Sequence, residues 1–250
     1  MANKVKWLIG AKTINNENIV QNIDDINQPL PKYNENENGY NWIHLSAKCL
    51  KTKQWLNKQL EIDQVWINAL IASESRPRFV KINHNSFFIN LRGINFIDND
   101  ESEDMISLRL YITKNMIIST QIYQLKAITH LKNEINNNEP PLTSAHFLSK
   151  VIDFINADIE EAIFTINDEI DDLEEMSLTE HDKDFRQSLI VIRRQMIIFR
   201  RYLSPNSDAL KGLCTMASFY HPNSELYDHL IESENKLVFL PLASQASQAS

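Results

Sequence analysis

Between Arg78 and Tyr123 the chain is written as four consecutive strand-like runs, RFVKIN, SFFINLRGINF, MISLRLYIT and MIISTQIY. They are rich in Phe, Ile and Tyr and are separated by turn text around HNS, DNDESED and KN. Such runs predict a mostly antiparallel meander. Upstream, VKWLI (5–9) and YNWIHL (40–45) read as short strands, and Pro29 and Pro31 in the polar stretch between them forbid regular ladder pairing there. AKCLKTKQWLNKQL predicts a helix with Leu50, Leu56 and Leu60 near one face, and DQVWINALIAS predicts a second. A third short helix, QLKAITHLKNEIN, runs into the break NNNEPPLTS.

Beyond Pro141 the period becomes helical and stays so. Leu148, Ile152, Ile155, Ile159, Ala162, Ile166 and Leu173 keep three- and four-residue spacings. That pattern predicts a coiled-coil-like helix of about 26 residues, roughly 39 Å long. Residues 151–176 contain ten Asp or Glu and no Lys or Arg. Thr179, three residues before Asp182, marks the start of the next helix, which carries Arg186, Arg193, Arg194, Arg200 and Arg201. A tight turn near Ser177 would fold the two into an antiparallel hairpin, with Glu160 and Glu161 level with Arg193 and Arg194, and Asp168 level with Arg186. The basic run then serves helix pairing rather than nucleic acid. SDALKGLCTMASF and NSELYDHLIESENKLVFL follow as further helical stretches, and the terminal repeat ASQASQAS carries no fold logic.

Composition narrows the function classes. The chain has 250 residues, 25 Lys+Arg against 33 Asp+Glu, and a formal net charge of -8, which argues against nucleic acid or anionic lipid as a general partner. The two cysteines, Cys49 and Cys214, lie far apart with no CxxC, so neither a disulfide framework nor a structural zinc knuckle is expected. No leader and no run of about 18 apolar residues is found, so a soluble chain is expected. GxSxG, P-loop, GxGxxG and HExxH motifs are absent and only four glycines occur, so no catalytic residue is assigned and an enzyme is not expected.

The stretch SESRPRFVKINHNSFFINLRGIN, residues 73–95, raises the sharpest question, since its arginines suit either a phosphate grip or a structural fixture. Pro77 bars Arg76 from helical geometry, so the chain enters the sheet extended. Arg92 leaves the apolar run FFINL as a guanidinium in need of acceptors, with Glu103 and Asp104 as near candidates. Gly93 permits a bulge or a close backbone approach. The structural reading is preferred.

In order, RPR, NLRGIN, the acidic loop, EDMISLRLYIT, MIIST and IRRQMIIFRRYLSPNSDAL (192–210) resemble the cytoplasmic domain of ZntB-type zinc transporters of the CorA metal-ion transporter family. The likeness spans roughly residues 40–215, and its last motif looks like that family's basic helix followed by a Pro-containing turn. It marks Arg76, Pro77, Arg78, Asn90, Arg92 and Gly93 as a structural signature. It implies an α+β fold: an N-terminal α/β/α domain (1–142) with a mixed, largely antiparallel sheet, then long antiparallel helices forming funnel and stalk (143–236), then a tail (237–250). It further implies a homopentamer at the cytoplasmic face of the bacterial inner membrane. The family's Gly-Met-Asn signature and two membrane spans do not occur in this sequence.

The seven histidines form no HxxxH, and each alone is more often a surface or satisfied core residue. Two groupings of mixed nitrogen and oxygen ligands suit zinc: Glu180, His181 and Asp184, and Glu225, Asp228, His229 and Glu232. Asp171, Asp172, Glu174 and Glu175 crowd at the hairpin tip and would gather cations diffusely, against the reading of a solvated face. The expected function is therefore the cytoplasmic funnel domain of a divalent-metal transporter. Zinc, and after it magnesium or cobalt, is the transported ligand, and no resident cofactor is expected. The rival is a stand-alone oligomeric scaffold or regulatory protein that binds divalent cations weakly.

Overall fold

The computed structural model describes residues 8–15, 19–23, 25–33, 39–59, 62–94, 105–177, 183–216 and 232. Seven strands form one mixed sheet: β1 (Leu8–Ile14), β2 (Val20–Asn22), β3 (Tyr40–Ser46), β4 (Arg78–Lys81), β5 (Ser86–Gly93), β6 (Ile106–Thr113) and β7 (Met116–Gln121). Their order is β2-β1-β3-β7-β6-β5-β4. Among the described strands only β3 and β7 run parallel, and the meander β4 to β7 is antiparallel throughout. The helices are α1 (Leu50–Gln59), α2 (Gln64–Ile71), α3 (Lys126–Asn136), α4 (Ser144–Ser177) and α5 (Lys183–Cys214).

Alternation along the strands divides the interior into two layers. Phe87, Ile89 and Leu91 of β5 and Leu108, Leu110 and Ile112 of β6 face α3, the first half of α4 and the last third of α5. Phe88 and Ile118, with Ile43 and Leu45, face α1 and α2. The far halves of α4 and α5 leave the sheet and pair through Ile166, Leu173 and Ile192, with Ile170, Met196 and Phe199 alongside. The apolar stripe read from α4 is its buried face: Leu148, Ile152, Ile155, Ile159, Ile166 and Leu173 are all buried.

Local chemistry sets the boundaries. α3 ends where Asn138 turns left-handed (φ 64), and the N–H groups of Asn138 and Glu139 return to the carbonyls of Ile135 (3.3 Å) and Glu134 (3.0 Å). The Thr143 hydroxyl then accepts from His146 N at 3.0 Å and starts α4.

Several expectations need correction. The first strand as described runs Leu8–Ile14, with residues 5–7 of the expected run outside the described residues, and the short edge strand β2 pairs with it ahead of the prolines. On α1 the inward face is Thr52, Trp55 and Leu56, while Leu50 is 70% exposed. Six residues amount to about 600° of helix, which puts Leu50 and Leu56 on different sides. No Pro-containing turn divides the basic helix, because α5 continues through Pro205. An interior proline costs about 3 kcal/mol. Here Leu203, Asn206, Ser207, Ala209, Leu210 and Leu213, all buried, hold both flanks in place.

Candidate functional site

The signature residues meet where α5 passes the open end of the β4–β5 edge. β4 covers β5 only as far as the pair Arg78 and Asn90. Two residues on, the backbone of Arg92 would face that edge without a strand. The side-chain amide of Asn206 takes its place: Arg92 N donates to Asn206 Oδ1 at 3.0 Å, and Asn206 Nδ2 donates to Arg92 O at 2.8 Å. Asn206 is fully buried, so both bonds form away from water, where leaving either group unpaired is costly. Asn90 performs a similar task one step back, donating from Nδ2 to Arg76 O at 2.8 Å and tying the RPR segment to the sheet.

The Arg92 guanidinium donates to Met105 O (2.5 Å) and Ser75 O (3.1 Å), and lies 4.0 Å from the centre of the Tyr202 ring on α5. These described partners are carbonyls and an aromatic face, whereas carboxylates were expected. Glu103 and Asp104 lie outside the described residues. Beside it, Arg109 of β6 is wholly buried and donates from Nε to Ser75 Oγ at 3.1 Å. Burial first, and the neighbouring Arg92 second, lower its pKa to about 10. Arg78 stands over Phe88 at 5.5 Å. Gly93 pairs regularly with Ile106, so no bulge forms. Its role is close approach, since a Cβ there would stand 2.9 Å from Leu125 Cδ1 and 3.4 Å from Ile155 Cγ1.

Around α4 the charges pair in an unforeseen direction. Lys126 of α3 binds Glu161 at 2.8 Å and reaches Asp158 at 3.6 Å, and His130 stands 3.9 Å from Asp158. Glu161 therefore takes its described ion pair from α3, where α5 was expected. Burial raises the pKa of Asp158 against the opposing pull of Lys126 and His130. The Lys126 hydrogen bond lowers that of the exposed Glu161. A fully buried His44 shares Ser119 Oγ through Nδ1 (2.7 Å) with Trp42 Nε1 (2.8 Å). A hydroxyl that accepts from the indole keeps its proton for a neutral imidazole, and burial pushes His44 down to about 3.

Of the cation candidates, Asp171 and Asp172 are exposed on the last turns of α4, and Glu174 and Glu175 follow on the same helix. Asp184 lies in the first turn of α5, and Glu232 is exposed. Glu180, His181, Glu225, Asp228 and His229 lie outside the described residues. Among the described residues no three His, Cys, Asp or Glu side chains gather as a metal-binding group. Asn206, Tyr202, Ser75 and Arg109 escaped the sequence reading. Only Arg109 left a signal there, as a cation in the middle of an apolar strand.

An α/β/α sandwich that extends into a pair of long helices of opposite charge defines a recognisable class of domain. The family described as "CorA-like Mg2+ transporter protein" matches residues 37–249, and the chain belongs to it. That family is one of transport proteins rather than enzymes. The zinc transport protein ZntB of Yersinia pseudotuberculosis is 28% identical over 174 residues, 70% of this chain and 53% of that protein. The divalent cation transporter CmaX of Pseudomonas aeruginosa is 26% identical over 173 residues, 69% of this chain and 52% of that protein. The chain thus spans about half the length of these curated relatives. In fold it follows the crystal structure of the ZntB cytoplasmic domain from Vibrio parahaemolyticus, with a TM-score of 0.79 at 19% identity over 98% of this chain and 96% of that one. Among the described residues no helix is long and apolar enough to cross a membrane.

Proposed function

We propose that this chain is the cytoplasmic portion of a divalent-cation transporter, with zinc as the transported ion, and that copies of it assemble around the ion path as a homopentamer at the inner face of a bacterial inner membrane. One observation carries the reading: nearly the whole chain superposes on nearly the whole of the ZntB cytoplasmic domain from Vibrio parahaemolyticus. Zinc is preferred because the ZntB relative carries that ion in its name. Magnesium and cobalt are the alternatives, the first because the family's description names it.

Within this reading the domain gathers ions and bears load, and the pore lies elsewhere. The exposed carboxylates Asp168, Glu169, Asp171 and Asp172 form a field that attracts divalent cations without coordinating one tightly. Exposed carboxylates keep most of their hydration, and the Debye length is about 8 Å at physiological salt, so the binding is weak and easily screened. His181 would add a nitrogen ligand that tilts the tip toward zinc.

Calorimetric titration of zinc, magnesium and cobalt into the chain tests this role, with Asp171, Asp172, Glu174 and Glu175 changed to Asn or Gln and His181 changed to Ala. A weak zinc signal in the wild type that disappears in the variant, with unchanged melting, is the expected result. An undiminished signal would remove the tip from the account and leave the group around His229 as the candidate.

A further inference from the structure

We propose that copies of this chain pack side by side through the outer faces of the α4–α5 hairpin, the acidic α4 face of one copy seating on the basic and apolar α5 face of the next. The proposal rests on the self-association inferred above and assigns it a surface.

Within one chain the hairpin uses one side of each helix. Ile166, Leu173 and Ile192 fill the seam and are buried. The opposite sides are unlike each other. On α4, Glu161, Phe164, Asp168 and Asp172 follow at three- and four-residue spacing and are all exposed, so they form one stripe. Phe164 is 70% exposed and belongs to none of the three cores. On α5, Ile190, Arg193, Ile197 and Arg200 keep the same spacing and are exposed as well. Ile190 is 67% and Ile197 59% exposed, and Leu189 and Val191 widen the apolar area.

The two stripes are complementary in order as well as in sign. One presents an aromatic knob, Phe164, followed by the carboxylates Asp168 and Asp172, while Glu161 at the near end of the stripe is already held by Lys126 of α3. The other presents a guanidinium, Arg193, between two isoleucines. A single exposed apolar residue needs no explanation. Five large ones on the two faces of one hairpin, interleaved with opposite charges, match a partner that carries the reverse pattern. The molecule that carries it is a second copy of this chain. Each stripe points away from its own seam, so the two cannot meet within one chain, and their contact between copies is head-to-tail. Repetition of such a contact closes a ring when its rotation allows.

Charge reversal with mixing tests the contact by sedimentation of the full chain at low salt. One variant carries Asp168→Lys and Asp172→Lys, the other Arg193→Glu and Arg200→Glu. Each alone places like charges at every junction, and association about a hundredfold weaker than wild type is expected. An equimolar mixture restores opposite charges at every junction between unlike variants, so it should associate far better than either variant. Raised salt should weaken the wild type.

Variants that associate as wild type does would overturn the contact and leave the assembly standing. A wild type that stays monomeric at high concentration would overturn the contact, and so would a mixture no better than its parts. A second measurement does not depend on the folding of the reversed variants. In a Cys49→Ser, Cys214→Ser background, a Phe164→Cys chain mixed with an Ile190→Cys chain and oxidised should give the disulfide-linked heterodimer. Cross-linking no greater than that of either chain alone would also overturn the contact.

Discussion

At the end of β5, past the last residue that β4 covers, the amide of Asn206 occupies the backbone of Arg92 as a strand would. A side chain on α5 thus fixes how the long helix leaves the sheet, and Tyr202 against the Arg92 guanidinium sets its rotation. Replacing Asn206 with Ala should cost about 1–3 kcal/mol, because two buried backbone groups lose their partners. The check is a denaturant titration with unchanged slope. A loss within error of zero would mean that water takes over both bonds. Sequence alone marked Arg92 and Gly93 as structural but could not name Asn206, since a partner 114 residues away leaves no local pattern.

His44 provides a test by pH at the same scale. Its folded value of about 3 lies below its ordinary 6.5, so the unfolded chain takes up a proton first as pH falls. The stability it contributes is complete above 6.5 and declines as the pH drops toward 3. The slope is about 1.4 kcal/mol per pH unit for one proton. His44→Gln should flatten this part of the stability profile. A profile identical to wild type would show that other groups carry the acid sensitivity.

Elements were legible where packing follows period. The meander from β4 to β7 and the buried stripe of α4 could be read because each strand or helix presents one consistent face to one core. Reading failed where a neighbour overrides the local text. β2 is a short edge strand with little apolar content, and Pro205 sits inside a helix whose flanks are buried against the sheet. The ion pairs of α4 were missed for the same reason, since Lys126 arrives from α3.

The α3–α4 contact has its own consequence. The pKa of buried Asp158 is raised, so its surroundings favour the neutral form despite Lys126 and His130. A raised folded value means that stability present below the unfolded pKa is lost as pH rises through the folded one. Asp158→Asn should therefore remove that loss and leave the protein as stable as wild type, or more so, at neutral pH. Melting temperatures of the two proteins compared from pH 4 to pH 7 decide this. A variant clearly less stable at pH 7 would mean that the ion pair outweighs the burial.

At the scale of the molecule, an acidic helix and a basic helix extend together from the sandwich of a chain that belongs to the CorA-like family. Fold and family could be read from the order of several motifs, whereas the ion could not, because exposed carboxylates attract many cations alike. Vesicles offer the most direct test of the proposed transport role, using the membrane protein of which this chain is proposed to be the cytoplasmic portion. Purified, reconstituted and loaded with a zinc-sensitive dye, that protein should admit zinc when the ion is added outside, at a rate well above that of empty vesicles. Protein-containing vesicles that admit zinc, magnesium and cobalt no faster than empty ones would contradict the account.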